Sequence, residues 1–253
     1  MGRKVFSVLI WTGVGFLILV WVPMLGLVRL FDRDPVRYRT GRLFRSLGYA
    51  ISRINPYWNI SIEGHTEIDG RAPYIVVCNH LSNADIPLIS NLPWEMKWIA
   101  KKELFAIPVL GRMMKWAQDI PVDRASSNKR IGVFIKCSFY LDNRCSVMFF
   151  PEGTRSRDGR LKRFSPGAFD LAIKKGIPIL PLVIDGTQEC LPKKTWQFPK
   201  SAYVKLKVLA PVSTENLTAD DAFALMESIR GDIANQLAEW RNVPVSKIDA
   251  TMG

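Results

Sequence analysis

Only two histidines, His65 and His80, occur among the 253 residues. Any reaction that passes a proton through an imidazole near neutral pH must use one of them. His80 stands in Asn79-His80-Leu81-Ser82-Asn83-Ala84-Asp85, directly after the apolar run Tyr74-Ile75-Val76-Val77-Cys78. An aspartate five positions on can hold one ring nitrogen as N–H and leave the other free to accept a proton, the orienting role a carboxylate plays in hydrolase triads. On a continuous helix, residues five apart sit roughly 140° apart around the axis, so the pair meets only if the chain turns between them. A strand-loop-helix junction supplies that turn and puts His80 at a strand's carboxyl end, where α/β sheets hold ligands. Asp85 has a second reading, since Ser82 and Asp85 also fit a helix capping box. His65, in Glu63-Gly64-His65-Thr66, reads as a surface turn.

A second block, Phe150-Pro151-Glu152-Gly153-Thr154-Arg155-Ser156, again follows an apolar run, Ser146 to Phe150. Gly153 lets a ligand come near the backbone, Glu152 can accept hydrogen bonds, and Arg155 can clamp a phosphate with two parallel donors. Between the blocks lie Lys101-Lys102-Glu103-Leu104, then Pro108 and Gly111, then Ile120-Pro121-Val122-Asp123-Arg124. Lys101 and Arg124 thereby join the candidate phosphate contacts. A serine hydrolase would also need His and Asp, but no Gly-x-Ser-x-Gly elbow occurs. Cys78, Cys137, Cys145 and Cys190 are widely spaced, without the pairing of a zinc site, and read as reduced thiols.

Together these blocks resemble the 1-acylglycerol-3-phosphate acyltransferase family of the glycerolipid acyltransferase superfamily, with its Asn-His-x4-Asp and Phe-Pro-Glu-Gly-Thr-Arg-Ser motifs intact. Lys101, Glu103, Leu104, Pro108, Gly111, Asp123 and Arg124 match a third block, and Ile177-Pro178-Ile179-Leu180-Pro181-Leu182 resembles a fourth. One departure is Ala117-Gln118-Asp119, where many members carry glycine shortly before the Ile-x-x-Asp-Arg end. The resemblance implies that His80 takes the proton from the sn-2 hydroxyl of lysophosphatidic acid, or of another lysophospholipid, as that oxygen attacks the thioester of acyl-CoA or acyl carrier protein. It implies that Asp85 orients the ring and that Lys101, Arg124 and Arg155 hold the phosphate. Glu152, Gly153 and Thr154 would shape the glycerol and phosphate site, with no acyl-enzyme, no metal and no cofactor beyond the acyl donor.

What must position these residues follows from the rest of the chain. Forty-eight per cent hydrophobic residues support one substantial core. The net charge of +12 favours anionic partners, read with the blocks as phospholipid headgroups and not nucleic acid. No residue from Val5 to Val28 is charged, and a helix of that length, roughly 36 Å, exceeds the ~30 Å hydrocarbon core. It is also longer than a signal peptide's apolar region and lacks a convincing cleavage site, so it reads as a retained anchor. Arg29, Arg33, Arg37, Arg39, Arg42, Arg45 and Arg53 follow it, which in a bacterial cell indicates the cytoplasmic face of the inner membrane. Leu43, Leu47, Ile51 and Ile54 then share one side of a second helix whose arginines can lie at the interface. A hairpin in one leaflet, a full span, and packing of this helix on the domain all fit that pattern.

Two domains are therefore expected, an anchor over 1–55 and a catalytic domain over 56–253, the latter an α/β fold with a mixed β-sheet flanked by helices. Strands are predicted at Trp58–Ile62, Tyr74–Cys78, Trp98–Ala100, Ser146–Phe150, Ile179–Ile184 and Val204–Leu209, and helices at Asp85–Asn91, Ser127–Asp142, Pro166–Lys175 and Thr218–Trp240. The last begins with a Thr218/Asp221 capping box, and Phe223, Met226, Ile229, Ile233, Leu237 and Trp240 form its packing stripe.

Overall fold

Runs of apolar residues without alternation become the middle of a sheet, as expected for strands covered on both faces. The computed structural model describes residues 2–123, 127–190, 195–199 and 201–251. Helices α1 (Arg3–Phe31) and α2 (Tyr38–Ile54) come first, followed by strands β1 (Trp58–Gly64) and β2 (Ile75–Cys78). Then come α3 (Asp85–Ile89), β3 (Met96–Lys101), a 3-10 turn over Lys102–Ala106, α4 (Leu110–Trp116), β4 (Ile120–Val122), α5 (Ser127–Asp142) and β5 (Ser146–Phe149). The chain closes with α6 (Gly167–Lys175), β6 (Ile179–Asp185), α7 (Thr187–Cys190), β7 (Ala202–Val208), a 3-10 turn over Ala219–Asp221, α8 (Ala222–Arg241) and α9 (Val245–Ile248).

The seven strands are ordered β1-β7-β6-β2-β5-β3-β4, and every neighbouring pair is parallel except β6 and β7. Each strand expected from the sequence is present within three residues. The addition is β4, whose three residues include Pro121; a residue without an N–H donor is tolerated there because β4 is an edge strand, and so short a run carries no period. One face of the sheet packs against α5, α6 and α8 through Val133, Phe169, Ile229 and Ile233, the other against α3 and α7 through Leu88, Ile89 and Cys190, with Trp94 from the segment after α3 beside them. The Thr218/Asp221 capping box forms. The packing stripe of α8 needs one correction: Phe223 is 69% exposed, and Leu225, Ala234 and Ala238 complete the buried face. All four cysteines are buried free thiols.

Helices α1 and α2 form a hairpin. Leu47 of α2 is buried against Leu25 of α1 and Met113 of α4, with Leu43 and Ile51 packed beside them, so the predicted apolar side of α2 faces α1. Gly48 of α2 lies so near Ser90 that a Cβ would sit 2.7 Å from that residue's Cβ, which lets α2 press onto the domain. Both ends of α1 are tied to the globular part: Arg3 Nε donates to the Phe198 carbonyl at 3.0 Å, and Arg29 Nη1 to that of Trp116 at 3.2 Å. The face of α1 away from α2 exposes Val5, Val8, Leu9, Phe16, Leu19, Leu27, Leu30 and Phe31 along its whole length. The expectation that the arginines after α1 all lie at an interface fails at Arg45, which is buried at 5% exposure beside Asp119 and Glu95.

Within Ala117-Gln118-Asp119, the stretch where the resemblance leads one to expect a glycine, Gln118 takes a left-handed conformation with φ +60°. Its carbonyl accepts from the Tyr140 hydroxyl at 2.9 Å, and its buried Oε1 has no hydrogen-bond partner among the described residues. A left-handed non-glycine residue costs about 1–2 kcal/mol, and glycine's extra unfolded freedom costs roughly 0.5–1 kcal/mol. Gln118→Gly is therefore expected to raise the unfolding free energy of the protein by a fraction of a kcal/mol to about 1 kcal/mol, read as a higher denaturant midpoint, and a lowered midpoint would contradict the strain argument.

Candidate active site

Because β2, β5, β3 and β4 run parallel, the loops that follow them emerge at one edge of the sheet. The loop after β2 carries His80, the loop after β5 carries Glu152 to Arg155, and β3 ends at Lys101. The predicted Arg124 lies outside the described residues. Three of the sequence blocks thus converge because adjacent strands share a direction.

His80 and Asp85 meet. The ring Nδ1 lies 2.6 Å from Asp85 Oδ2, with the histidine side chain 15% exposed and the aspartate fully buried. The same Oδ2 accepts the backbone N–H groups of Leu81 at 2.9 Å and Ser82 at 3.0 Å. An oxygen already receiving two donors takes a third, so Nδ1 is the donor, and in the neutral ring that leaves the lone pair on Nε2. The Ser82 contact is half of a capping box, so one carboxylate serves both roles that the spacing allowed. Oδ1 of Asp85 is buried without a hydrogen-bond partner among the described residues.

Three further residues hold the histidine. Asn79 bonds through its side-chain amide to both the N–H and the C=O of Ile184 on β6, each at 2.9 Å, which extends the ladder where β2 has ended. Phe150 stacks on the imidazole at 4.0 Å between ring centroids and 17° between planes. Glu152 Oε1 accepts the backbone N–H of His80 at 2.7 Å, while Oε2 accepts that of Lys162 at 3.1 Å. Ser156 N–H closes the loop pair by donating to the His80 carbonyl at 2.8 Å. Glu152, expected to shape the glycerol and phosphate site, has each oxygen engaged with a backbone N–H and staples two loops. The parts played by Phe150 and Asn79 are not foreseen from the sequence, where a polar amide directly after a fully buried strand is the one signal that marks Asn79.

Gly153 has φ +70° and open space where a Cβ would project, so the left-handed turn, and not crowding, calls for glycine. Thr154, Arg155 and Lys101 are exposed, with the Lys162 ammonium donating to the Thr154 hydroxyl. Lys102 pairs with Asp123 at 2.7 Å across the β3 and β4 ends. An oriented imidazole with a free nitrogen, flanked by exposed cations at a sheet edge, is suited to deprotonating a hydroxyl on a phosphate-bearing molecule.

The family model for acyltransferases matches residues 59–185, the span that contains this constellation. The chain belongs to that acyltransferase family. It is 35% identical over 178 residues to the chloroplastic 1-acyl-sn-glycerol-3-phosphate acyltransferase LPAT1 of Arabidopsis thaliana, covering 70% of this chain and 49% of that protein. It is 35% identical over 173 residues to the alpha enzyme of that name from Mus musculus, covering 68% and 61%. The chain thus spans about half to three fifths of the length of these relatives. The crystal structure of the acyltransferase PlsC from Thermotoga maritima superposes with a TM-score of 0.77 at 26% identity, covering 95% of this chain and 98% of that one. Both the mixed sheet and the N-terminal helix pair lie within that superposition's reach, which establishes the acyltransferase fold.

Burial pushes the Glu152 carboxyl up to about 7, against the opposing pull of the His80 and Lys162 N–H donors. A carboxyl raised in the folded state binds more protons there than when unfolded, so its stabilising contribution is complete below about 4.5 and is lost as pH rises through about 7. Urea unfolding at several pH values is expected to show wild type losing up to roughly 3 kcal/mol relative to Glu152→Gln across that window. Parallel pH dependences would show that Glu152 titrates normally.

Proposed function

We propose that the protein transfers a fatty acyl group from a thioester, acyl-CoA or acyl carrier protein, to the sn-2 hydroxyl of lysophosphatidic acid, forming phosphatidic acid in phospholipid biosynthesis. The observation that carries this is the 2.6 Å pair of His80 and Asp85 at the edge of the sheet, beside the exposed Lys101 and Arg155. Nε2 of His80 takes the hydroxyl proton as the oxygen attacks the thioester carbonyl. The tetrahedral adduct collapses, the C–S bond breaks, and the thiolate leaves with the proton that the imidazolium returns. Asp85 offsets the positive charge while it exists. Lys101 and Arg155, with Arg124, hold the phosphate and draw the acceptor toward the base. The names of the relatives support lysophosphatidic acid as acceptor; another lysophospholipid is the second reading, because exposed side chains bind the headgroup and few contacts define its shape.

The apolar face of α1 supports seating at a lipid surface, on the cytoplasmic side of the inner membrane in a bacterial cell. A 29-residue helix is roughly 43 Å long, and with Arg3 bonded to Phe198 and Arg29 to Trp116 its two ends reach the same globular body. That arrangement favours the hairpin lying in one leaflet over a helix that spans both.

Full-length wild type and His80→Ala, both in membranes, are to be given labelled acyl thioesters and a panel of lysophospholipids. Loss of the base is expected to cost about 10²–10⁴-fold in rate. Lys101→Ala and Arg155→Ala are expected to raise KM for phosphate-bearing acceptors several-fold with little change in kcat. Undiminished transfer by His80→Ala would remove the mechanism, and acceptor preference decides between the two headgroup readings.

A further inference from the structure

Of the seven arginines between residues 29 and 53, Arg45 alone is buried. It sits on the side of α2 turned toward the sheet, away from the Leu43, Leu47 and Ile51 side that meets α1. Its guanidinium bonds to Asp119 Oδ1 and lies 3.5 Å from Glu95 Oε2. Asp119 Oδ1 also accepts the backbone N–H of Trp98 on β3 at 3.1 Å. Lys97, fully buried on the same strand, balances the group by bonding Glu95 at 2.9 Å and the Ala117 carbonyl at 2.7 Å. Two cations and two anions thus meet inside the protein. Such a cluster is rarely the most stable filling of its volume, since apolar side chains often do as well, so its geometry calls for a role besides cohesion.

That role follows from what the guanidinium touches next. It lies over the Trp98 ring at 5.4 Å. Trp98 in turn meets the Phe150 ring at 6.1 Å, and Phe150 stacks on His80 at 4.0 Å. A continuous line of planar groups therefore runs from the lipid-facing helix pair to the imidazole. We propose that Arg45 is a positioning residue for acyl transfer, fixing Trp98 and through it the Phe150 face against which His80 is held. The proposal rests on His80 as the base. Asp85 grips the imidazole at its edge, and an edge contact alone leaves the ring free to tilt. The flat support of Phe150 removes that freedom and offers its π face to the imidazolium that forms when the hydroxyl loses its proton. Lysine in place of Arg45 would keep the charge and lose the planar fork that reaches Asp119 and the Trp98 face together.

The test uses full-length protein with labelled histidine rings, read by NMR in detergent micelles. Only two histidines exist, so His65, in its exposed turn, is the internal control. In wild type the stacked phenyl ring displaces the His80 ring protons upfield. Arg45→Lys and Trp98→Leu are each expected to lose most of that displacement while His65 stays in place. In turnover assays each is expected to lower kcat about 2- to 30-fold, the range of one desolvated ring-cation contact, with acceptor KM within about twofold. Phe150→Leu should cost a similar amount, and adding Arg45→Lys to it should cost little more, because the two act on one element. Trp98→Leu leaves every charged side chain in place and serves if Arg45→Lys fails to fold. An unmoved His80 signal in the folded variants, or penalties that multiply, overturns the proposal. The NMR reading needs no turnover, so an inactive wild type would count against the acyl-transfer reading and leave this inference to be judged on the spectra.

Discussion

Oδ2 of Asp85 accepts three hydrogen bonds, from the ring of His80 and from the N–H groups of Leu81 and Ser82, in a place without solvent. A buried carboxylate is costly to leave unmatched, and here the matching donors all come from the loop that it must shape. The oxygen therefore folds residues 80–85 into a tight turn and selects the tautomer in a single arrangement. Asn79 on one side and Glu152 on the other attach that turn to β6 and to the loop after β5. The catalytic geometry is thus a property of backbone hydrogen bonding, and the imidazole inherits it.

Much of this was legible in residue types and spacing. The unbroken apolar runs before His80 and before Pro151 identified two buried strands, and parallel pairing of those strands is enough to bring their following loops together. The His80–Asp85 meeting was legible because five positions can close only through a turn. Less legible were contacts between residues far apart in the chain. Nothing local distinguishes Arg45 from the six exposed or half-buried arginines around it, since its partners Glu95 and Asp119 lie 50 and more positions away. Phe150 likewise reads as the last apolar residue of a strand until the fold lays it on His80. The three-residue β4 escaped because so short a run with a proline has no period. Phe223 was misplaced because a helix stripe marks a face only to within one residue's turn.

The helix pair and the sheet are coupled through chemistry of two kinds. Apolar contacts of Leu25, Leu47 and Met113 hold α1, α2 and α4 together without much directional demand. The ion cluster of Arg45, Glu95, Lys97 and Asp119 adds direction, because planar charged groups tolerate few alternative geometries. Adhesion is supplied by the first and register by the second, and Gln118, held left-handed within the segment that Lys97 and Asp119 pin, shows what backbone strain that register can sustain.

The fastening of α1 at both ends bears on how such a molecule would experience concentration. On the proposed seating, a helix lying along a leaflet and clipped to its domain at Phe198 and Trp116 would keep the sheet edge at one height above the lipid plane. Encounters with a lipid acceptor would then occur in two dimensions. Turnover would follow the acceptor's mole fraction in the bilayer, and diluting the surface with inert phospholipid would slow the reaction even at constant bulk amount.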